Sequence, residues 1–272
     1  MKQLVSTDWL ENNLIKVKIL DASWHLPNTK RNAEEEYKEN HIKNSIFFDI
    51  DKYSNQDSSL PHMLPSKSNW ERIVSSLGIK NSDHIVVYDN SEVFSACRVW
   101  YSFIYFGHNP NLVSVLDGDF NKWVREKRPT SKETLKILKS DYKASEDTSL
   151  VINKDQVNEN IEKKDFLLID ARGEKRFLGL QPEPRAGMRS GNIQGSKNLP
   201  FQLLINRDRT FKKMDELIKI FEKKEISINK DKAFSCGSGI TACILGLANS
   251  LITDTKPKIY DGSWAEYGLK KK

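Results

Sequence analysis

The chain has 272 residues, of which 38% are hydrophobic and 29% charged, and a formal net charge of +6. That describes a soluble globular protein of one large domain or two ordinary ones, and no stretch approaches the roughly 18 consecutive apolar residues of a membrane span. Lys and Glu are mixed along the chain, so the positive balance reads as a solvated lysine-rich surface, the terminal "LKKK" as a solvated tail, and no nucleic-acid signature is present.

The opening "MKQLVSTDWLENN" has no apolar h-region, so no secretory signal is expected. The first strand signal is "KILDASWHLP", an apolar run ending in Asp21-Ala22, as a buried strand entering a loop would. "HIKNSIFFDI" follows at His41. Then "SNWERIVSSLGI", with apolar residues near helical spacing, precedes the strand-like "HIVVYDN", which ends near Asp89. "VLDGDFNKW" carries Asp117-Gly118.

The polar stretch "KSDYKASEDTSL" comes next, and after it the same order returns. "FLLIDARGEKRF" carries Asp170-Ala171, "NIQGSKNLPF" starts at Asn192, "FKKMDELIKIFEKKEI" has helical spacing, "KAFSCGS" reaches Cys236, and "IYDGSWAEY" carries Asp261-Gly262. Matched landmarks lie 149, 151, 147 and 144 residues apart. Near-constant offsets argue for a duplicated domain, with a period far too long for a solenoid. Strand runs alternating with helical patterns predict an α/β fold, each copy a mainly parallel sheet with helices on both faces. The expected boundaries are a first domain over 1–138, a linker over 139–150 and a second domain over 151–272.

Three cysteines are present, Cys97, Cys236 and Cys243. A low, odd count with no signal peptide points to a reducing cytoplasm and no disulfide framework. Cys97 and Cys243 fall within helix-like runs and read as packing. Cys236 is different, because it stands between a strand and a helix in Cys236-Gly237-Ser238-Gly239-Ile240-Thr241. Ligands of open α/β sheets bind at the carboxyl ends of strands. Glycines there allow a tight turn with converging N–H groups, and a helix N-terminus adds positive potential. Both favour a thiolate, and equally a persulfide anion, over buried packing. Copy one offers no thiol here: its counterpart is Asp89 or a near neighbour. The second copy therefore reads as catalytic and the first as supporting. A zinc site is not expected, since Cys236 and Cys243 do not form CxxC and no histidine follows. A P-loop is absent, the serine-hydrolase elbow is unmatched, and the arginine a cysteine phosphatase needs after its loop is Ala242.

The tandem organisation and the loop "CGSGIT" followed by Ala resemble the rhodanese-like sulfurtransferases, and within them the 3-mercaptopyruvate sulfurtransferases. "RFLGLQPEPRAG" and "FFDIDKYSNQDSSLPHMLP" are similar to that subfamily too. The thiosulfate enzymes usually carry a cationic loop of the type CRKGVT. The resemblance implies two tandem rhodanese-like domains, with Cys236 as the sulfur-accepting nucleophile. It implies a relay of Ser238, His62 and Asp51, a site between the domains, and Arg176 and Arg185 holding the substrate carboxylate. Gly237, Gly239, Ile240 and Thr241 complete the substrate-binding loop. The chain departs from the family at "HIKNSI" and "NIQGSK", and has Tyr267 where a trailing Trp is usual.

These residue types suit the implied reaction. An arginine fork matches a planar carboxylate, and a serine backed by His and Asp can move the proton that the substrate thiol loses and the enolate gains. Transfer through a persulfide is ping-pong. The implied acceptor is a small thiol, cyanide or a thioredoxin-like protein; no cofactor, metal, nucleic acid or membrane partner is implied. Thiosulfate:cyanide sulfur transfer and a non-catalytic binding module are the alternatives.

Overall fold

The computed structural model describes residues 3–270; Met1, Lys2, Lys271 and Lys272, and with them the two ends of the tail and leader readings, lie outside the described residues. The chain divides into two compact units. Residues 1–56, 64–147 and 207–210 form the first, and 57–63, 148–206 and 211–272 the second.

The first unit is built on a five-stranded parallel sheet. Its strands are β1 (Leu4–Val5), β2 (Lys18–Asp21), β4 (Ser45–Phe47), β5 (Ile85–Tyr88) and β6 (Val113–Leu116), in the order β1-β6-β5-β2-β4. Between them β3 (His41–Ile42) pairs antiparallel with β7 (Thr130–Ser131). Parallel strands need crossovers, and helices α1 (Thr7–Glu11), α2 (Ala33–Glu39), α3 (Ile50–Tyr53), α4 (Lys67–Ser76) and α5 (Ala96–Tyr105) lie in them, while α6 (Asp119–Arg125) follows the last strand of the sheet. Both faces of the sheet are covered. On β5, Val86 and Tyr88 join Val5, Leu10, Phe120 and Trp123 in one core cluster. Ile85 and Val87 point the other way by the two-residue period and are equally buried. This is why β5 reads as an uninterrupted apolar run. Trp70 of α4 stacks on Phe106 at 4.6 Å and meets Phe103 edge-on at 5.0 Å.

The second unit repeats the plan. Strands β8 (Val151–Ile152), β9 (Leu167–Asp170), β10 (Lys197–Asn198), β11 (Lys232–Ser235) and β12 (Lys258–Tyr260) form a parallel sheet in the order β8-β12-β11-β9-β10. Each strand takes its counterpart's place, so the duplication read from spacing is a duplication of topology. Its helices are α7 (Lys154–Lys163), α8 (Glu174–Phe177), α9 (Met214–Lys223), α10 (Ala242–Thr253) and α11 (Ser263–Tyr267). Residues 242–250 of α10 are all buried.

The stretch 139–147 belongs to the first unit. Tyr142 is buried there, its amide donates to Ser75 Oγ at 3.0 Å, and its hydroxyl lies 3.2 Å from His108 Nδ1. The polar letters around it hid that anchor.

Candidate active site

Cys236 directly follows β11, at the carboxyl end of the central strand of the second sheet, and is 2% exposed. Its backbone is fixed from the turn after β12. The Cys236 amide donates to Ser263 Oγ at 3.1 Å, and that hydroxyl donates to the Tyr260 carbonyl at 2.8 Å. The Trp264 amide donates to the Cys236 carbonyl at 3.0 Å and the Ala265 amide to the Gly237 carbonyl at 2.8 Å. The first turn of α11 therefore ties down the carbonyls that start the loop. Among the described residues, the amides of Gly237, Ser238, Ile240 and Thr241 have no protein acceptor. They are donors available to an anion.

The two glycines do different work. Gly239 has φ +78°, which a side chain would strain. Gly237 keeps ordinary φ, but a Cβ there would stand 3.4 Å from Arg176 Nη2. Ile240 is buried, and Thr241 caps α10. Cys243, one turn into α10, is buried and donates its thiol to the Gly239 carbonyl at 3.2 Å. Cys97 is buried in α5. Both sit in helices, as their flanking runs predict.

His62 belongs to the second unit, with segment 57–63. It is 5% exposed, has φ +59°, and its Nδ1 lies 3.0 Å from Ser238 Oγ and 3.4 Å from the Ser238 carbonyl. Ser238 and His62, 176 residues apart, thus meet in the loop that begins at Cys236. Asp51 lies in α3 of the first unit, exposed, with Oδ2 accepting from Trp24 Nε1 at 2.9 Å.

Arg176 stands on α8, its Nε 3.2 Å from Glu183 Oε1 and its Nη2 2.5 Å from Glu183 Oε2. Arg185 is half-buried in the long connection between α8 and β10. Arg172 and Asp170 are both buried and form a fork, with Nη2 2.6 Å from Oδ2. The Arg172 guanidinium lies 4.3 Å from the Trp264 ring centre, and Arg189 lies at 4.4 Å. Tyr267 takes its place in this stack, 5.4 Å from the Arg189 guanidinium. Two residues were not legible as site components. Ser263 sits inside the "DGSW" landmark, and Glu183 inside "QPEPR".

The matching loop of the first unit shows what this frame does with an anion. The Phe120 amide donates to the Asp89 carbonyl at 3.0 Å, the same bond that Trp264 makes to Cys236, so Asp89 holds the position of the cysteine. Its Oδ1 accepts from the Ser91 amide and its Oδ2 from the Ala96 amide, both at 2.8 Å. Burial pushes Asp89 up to about 6, against the pull of those two amides and of Arg209. Arg209, from segment 207–210 of the same unit, bonds Asp119 and the Ser91 carbonyl and covers the Phe94 ring at 4.4 Å. An interval of 147 residues separates Asp89 from Cys236, Ser91 from Ser238 and His62 from Arg209.

The chain is 36% identical over 277 residues to the 3-mercaptopyruvate sulfurtransferase of Mus musculus, covering 99% of this chain and 93% of that one. It is 41% identical to the thiosulfate sulfurtransferase of Bos taurus, covering 98% and 92%. Among solved structures it is similar to SseA from Escherichia coli, described as a 3-mercaptopyruvate sulfotransferase of rhodanese fold, with TM-score 0.87, 32% identity and coverage of 98% and 100%. The family model described as "Rhodanese-like domain" matches residues 6–126 and again 153–270. With two copies of the model matched and the strand order duplicated, the chain belongs to the rhodanese-like family, as a tandem of two such domains.

Proposed function

We propose that this chain is a sulfurtransferase that takes the sulfur of 3-mercaptopyruvate onto Cys236 and passes it to a thiol, cyanide or a thioredoxin-like protein. The observation that carries the reading is the Cys236 loop, whose first carbonyls are tied back while, among the described residues, the amides of Gly237, Ser238, Ile240 and Thr241 have no acceptor. In the first unit the equivalent Ser91 amide and the first amide of the following helix hold a carboxylate. By that match, the Ser238 amide and the first amide of α10 hold the negative charge on the Cys236 sulfur.

The Cys236 thiolate attacks the donor sulfur, an S–S bond forms and the donor C–S bond breaks. The electron pair of that bond goes to carbon, giving the enolate of pyruvate. The proton that was on the donor thiol ends on the enolate carbon, and Ser238 with His62, 3.0 Å apart in the Cys236 loop, is the pair that moves it. Asp51 enters the reading as the carboxylate that the resemblance assigns to this relay. Arg185 and Arg176 hold the donor carboxylate. The acceptor then attacks the outer sulfur and restores the thiolate. Three buried cysteines with no disulfide between them fit a reducing compartment, and the reading we favour is a cytoplasmic protein.

The test is pyruvate release from 3-mercaptopyruvate against thiocyanate formation from thiosulfate, on one preparation with cyanide as acceptor. The neutral Gly237-Ser238-Gly239 predicts a kcat/KM for 3-mercaptopyruvate at least about tenfold higher. A preference for thiosulfate reassigns the donor, and turnover of neither leaves a binding module.

A further inference from the structure

Glu183 touches two arginines at once with a side chain only 3% exposed. Its Oε1 lies 2.8 Å from Arg172 Nη1 and 3.2 Å from Arg176 Nε, and its Oε2 lies 2.5 Å from Arg176 Nη2. Arg172 is fully used. Its Nε and Nη2 go to Asp170, Nη2 also reaches the Gly191 carbonyl at 2.9 Å, and its guanidinium face lies on Trp264. Two carboxylates thus balance two guanidiniums. Arg176 keeps something in reserve. Its side chain is 26% exposed, its Nε–Nη2 edge is held, and among the described residues its Nη1 has no hydrogen-bond partner. The held Nη2 stands 3.4 Å from where a Cβ on Gly237 would be, so the guanidinium borders the cysteine loop.

The same device is present in the first unit with a different outcome. Glu36 takes Arg31 Nε at 2.7 Å and Nη2 at 2.6 Å, but also His25 Nε2 at 3.2 Å and Asn90 Nδ2 at 3.1 Å. There the carboxylate closes directly onto the loop after β5. Glu183 reaches its loop only through Arg176.

We propose that Glu183 is a positioning residue for the sulfur donor. By clamping one edge of Arg176 it presents Nη1 beside Gly237, ready for the donor carboxylate. A free arginine must give up much rotamer freedom each time it binds, whereas a clamped one has done so on folding. The proposal rests on the reading of Arg176 as a carboxylate-binding residue, and its test separates the two.

The experiment is single-turnover persulfide formation on the full-length reduced protein, with 3-mercaptopyruvate varied and no acceptor, quenched and read by mass. Discharge of the persulfide by cyanide is followed separately. Glu183→Gln is expected to raise the half-saturating donor concentration about tenfold, since a charge-assisted clamp is lost. The saturating rate and the cyanide step stay within about twofold. On an Arg176→Ala background, Glu183→Gln adds nothing further. An unchanged or lower half-saturation in Glu183→Gln overturns the proposal. So does an equal shift on both backgrounds, or loss of both half-reactions together, which marks a purely structural role. If Glu183→Gln does not fold, Glu183→Asp keeps the charge and is expected to raise half-saturation by a smaller factor; no rise overturns the proposal. An Arg176→Ala protein with unaltered half-saturation overturns it through the underlying reading, and a wild-type protein that forms no persulfide overturns the functional reading itself.

Discussion

After β5 the chain places Asp89, and after β11 it places Cys236, on the same backbone frame. In the first loop the carboxylate uses up the Ser91 and Ala96 amides, and a guanidinium, Arg209, reaches Ser91. In the second loop the Ser238 amide and the first amide of α10, that of Ala242, have no acceptor among the described residues, and an imidazole, His62, reaches Ser238. One loop has filled its own anion cradle with a carboxylate of its own, beside a permanent cation. The other places a cysteine there and leaves the cradle open, with an imidazole beside its serine. A scaffold that can hold an anion becomes catalytic when the anion is reactive and its neighbour is titratable.

Three substitutions break this comparison at different depths. The largest effect is expected at His62. His62→Ala removes the imidazole that meets Ser238 and should lower turnover with 3-mercaptopyruvate about 100-fold. A loss below about threefold would mean that proton transfer does not pass through this pair.

Arg209→Ala tests the sealed loop. It leaves Asp119, 3% exposed, and Asp89, 2% exposed, without their cation. The expected loss of stability is about 3 kcal/mol in urea unfolding. A loss under about 0.5 kcal/mol would show that the guanidinium is ornamental to the first unit.

The effect that appears only as pH is varied is the one carried by Asp89. Its carboxyl lies at 3.8 when solvated and at about 6 in the fold. Between those values the folded protein keeps a proton that the unfolded chain has released. Stability is therefore highest below about pH 4 for this group, falls as pH rises to about 6, and is flat above it, a change of up to about 3 kcal/mol. Comparing wild type with Asp89→Asn by denaturant unfolding across pH 4–7 isolates it. The variant should lack this part of the slope, and identical slopes would contradict the assignment.

Much of this was legible in the sequence. Apolar runs ending in Asp21-Ala22 and Asp170-Ala171 gave β2 and β9, and the glycines after Cys236 gave the strand-to-helix turn. These are local patterns, set by the two-residue period of buried strands and by turn chemistry. Residue pairing over distance was not legible in this way. Nothing local to His62 says that its segment clusters with the second unit; the family resemblance tied it to Ser238 while counting it in the first half. A repeated interval could have helped: the 147 residues that link Asp89 to Cys236 also link His62 to Arg209. Glu183 was invisible because a glutamate between two prolines looks like solvated loop, while its burial depends on Arg172 and Arg176 arriving from α8 and the turn before it. Tyr142 was missed for the same reason, an anchor inside a polar stretch.

The central claim is that the second loop carries sulfur and the first does not. The direct measurement is intact mass of the reduced protein after brief exposure to 3-mercaptopyruvate, with the added sulfur mapped by peptide. The account predicts one added sulfur atom at Cys236, none at the buried Cys97 or Cys243, and none anywhere in Cys236→Ser. Sulfur on either helical cysteine with Cys236 unmodified, or retained in Cys236→Ser, would contradict it.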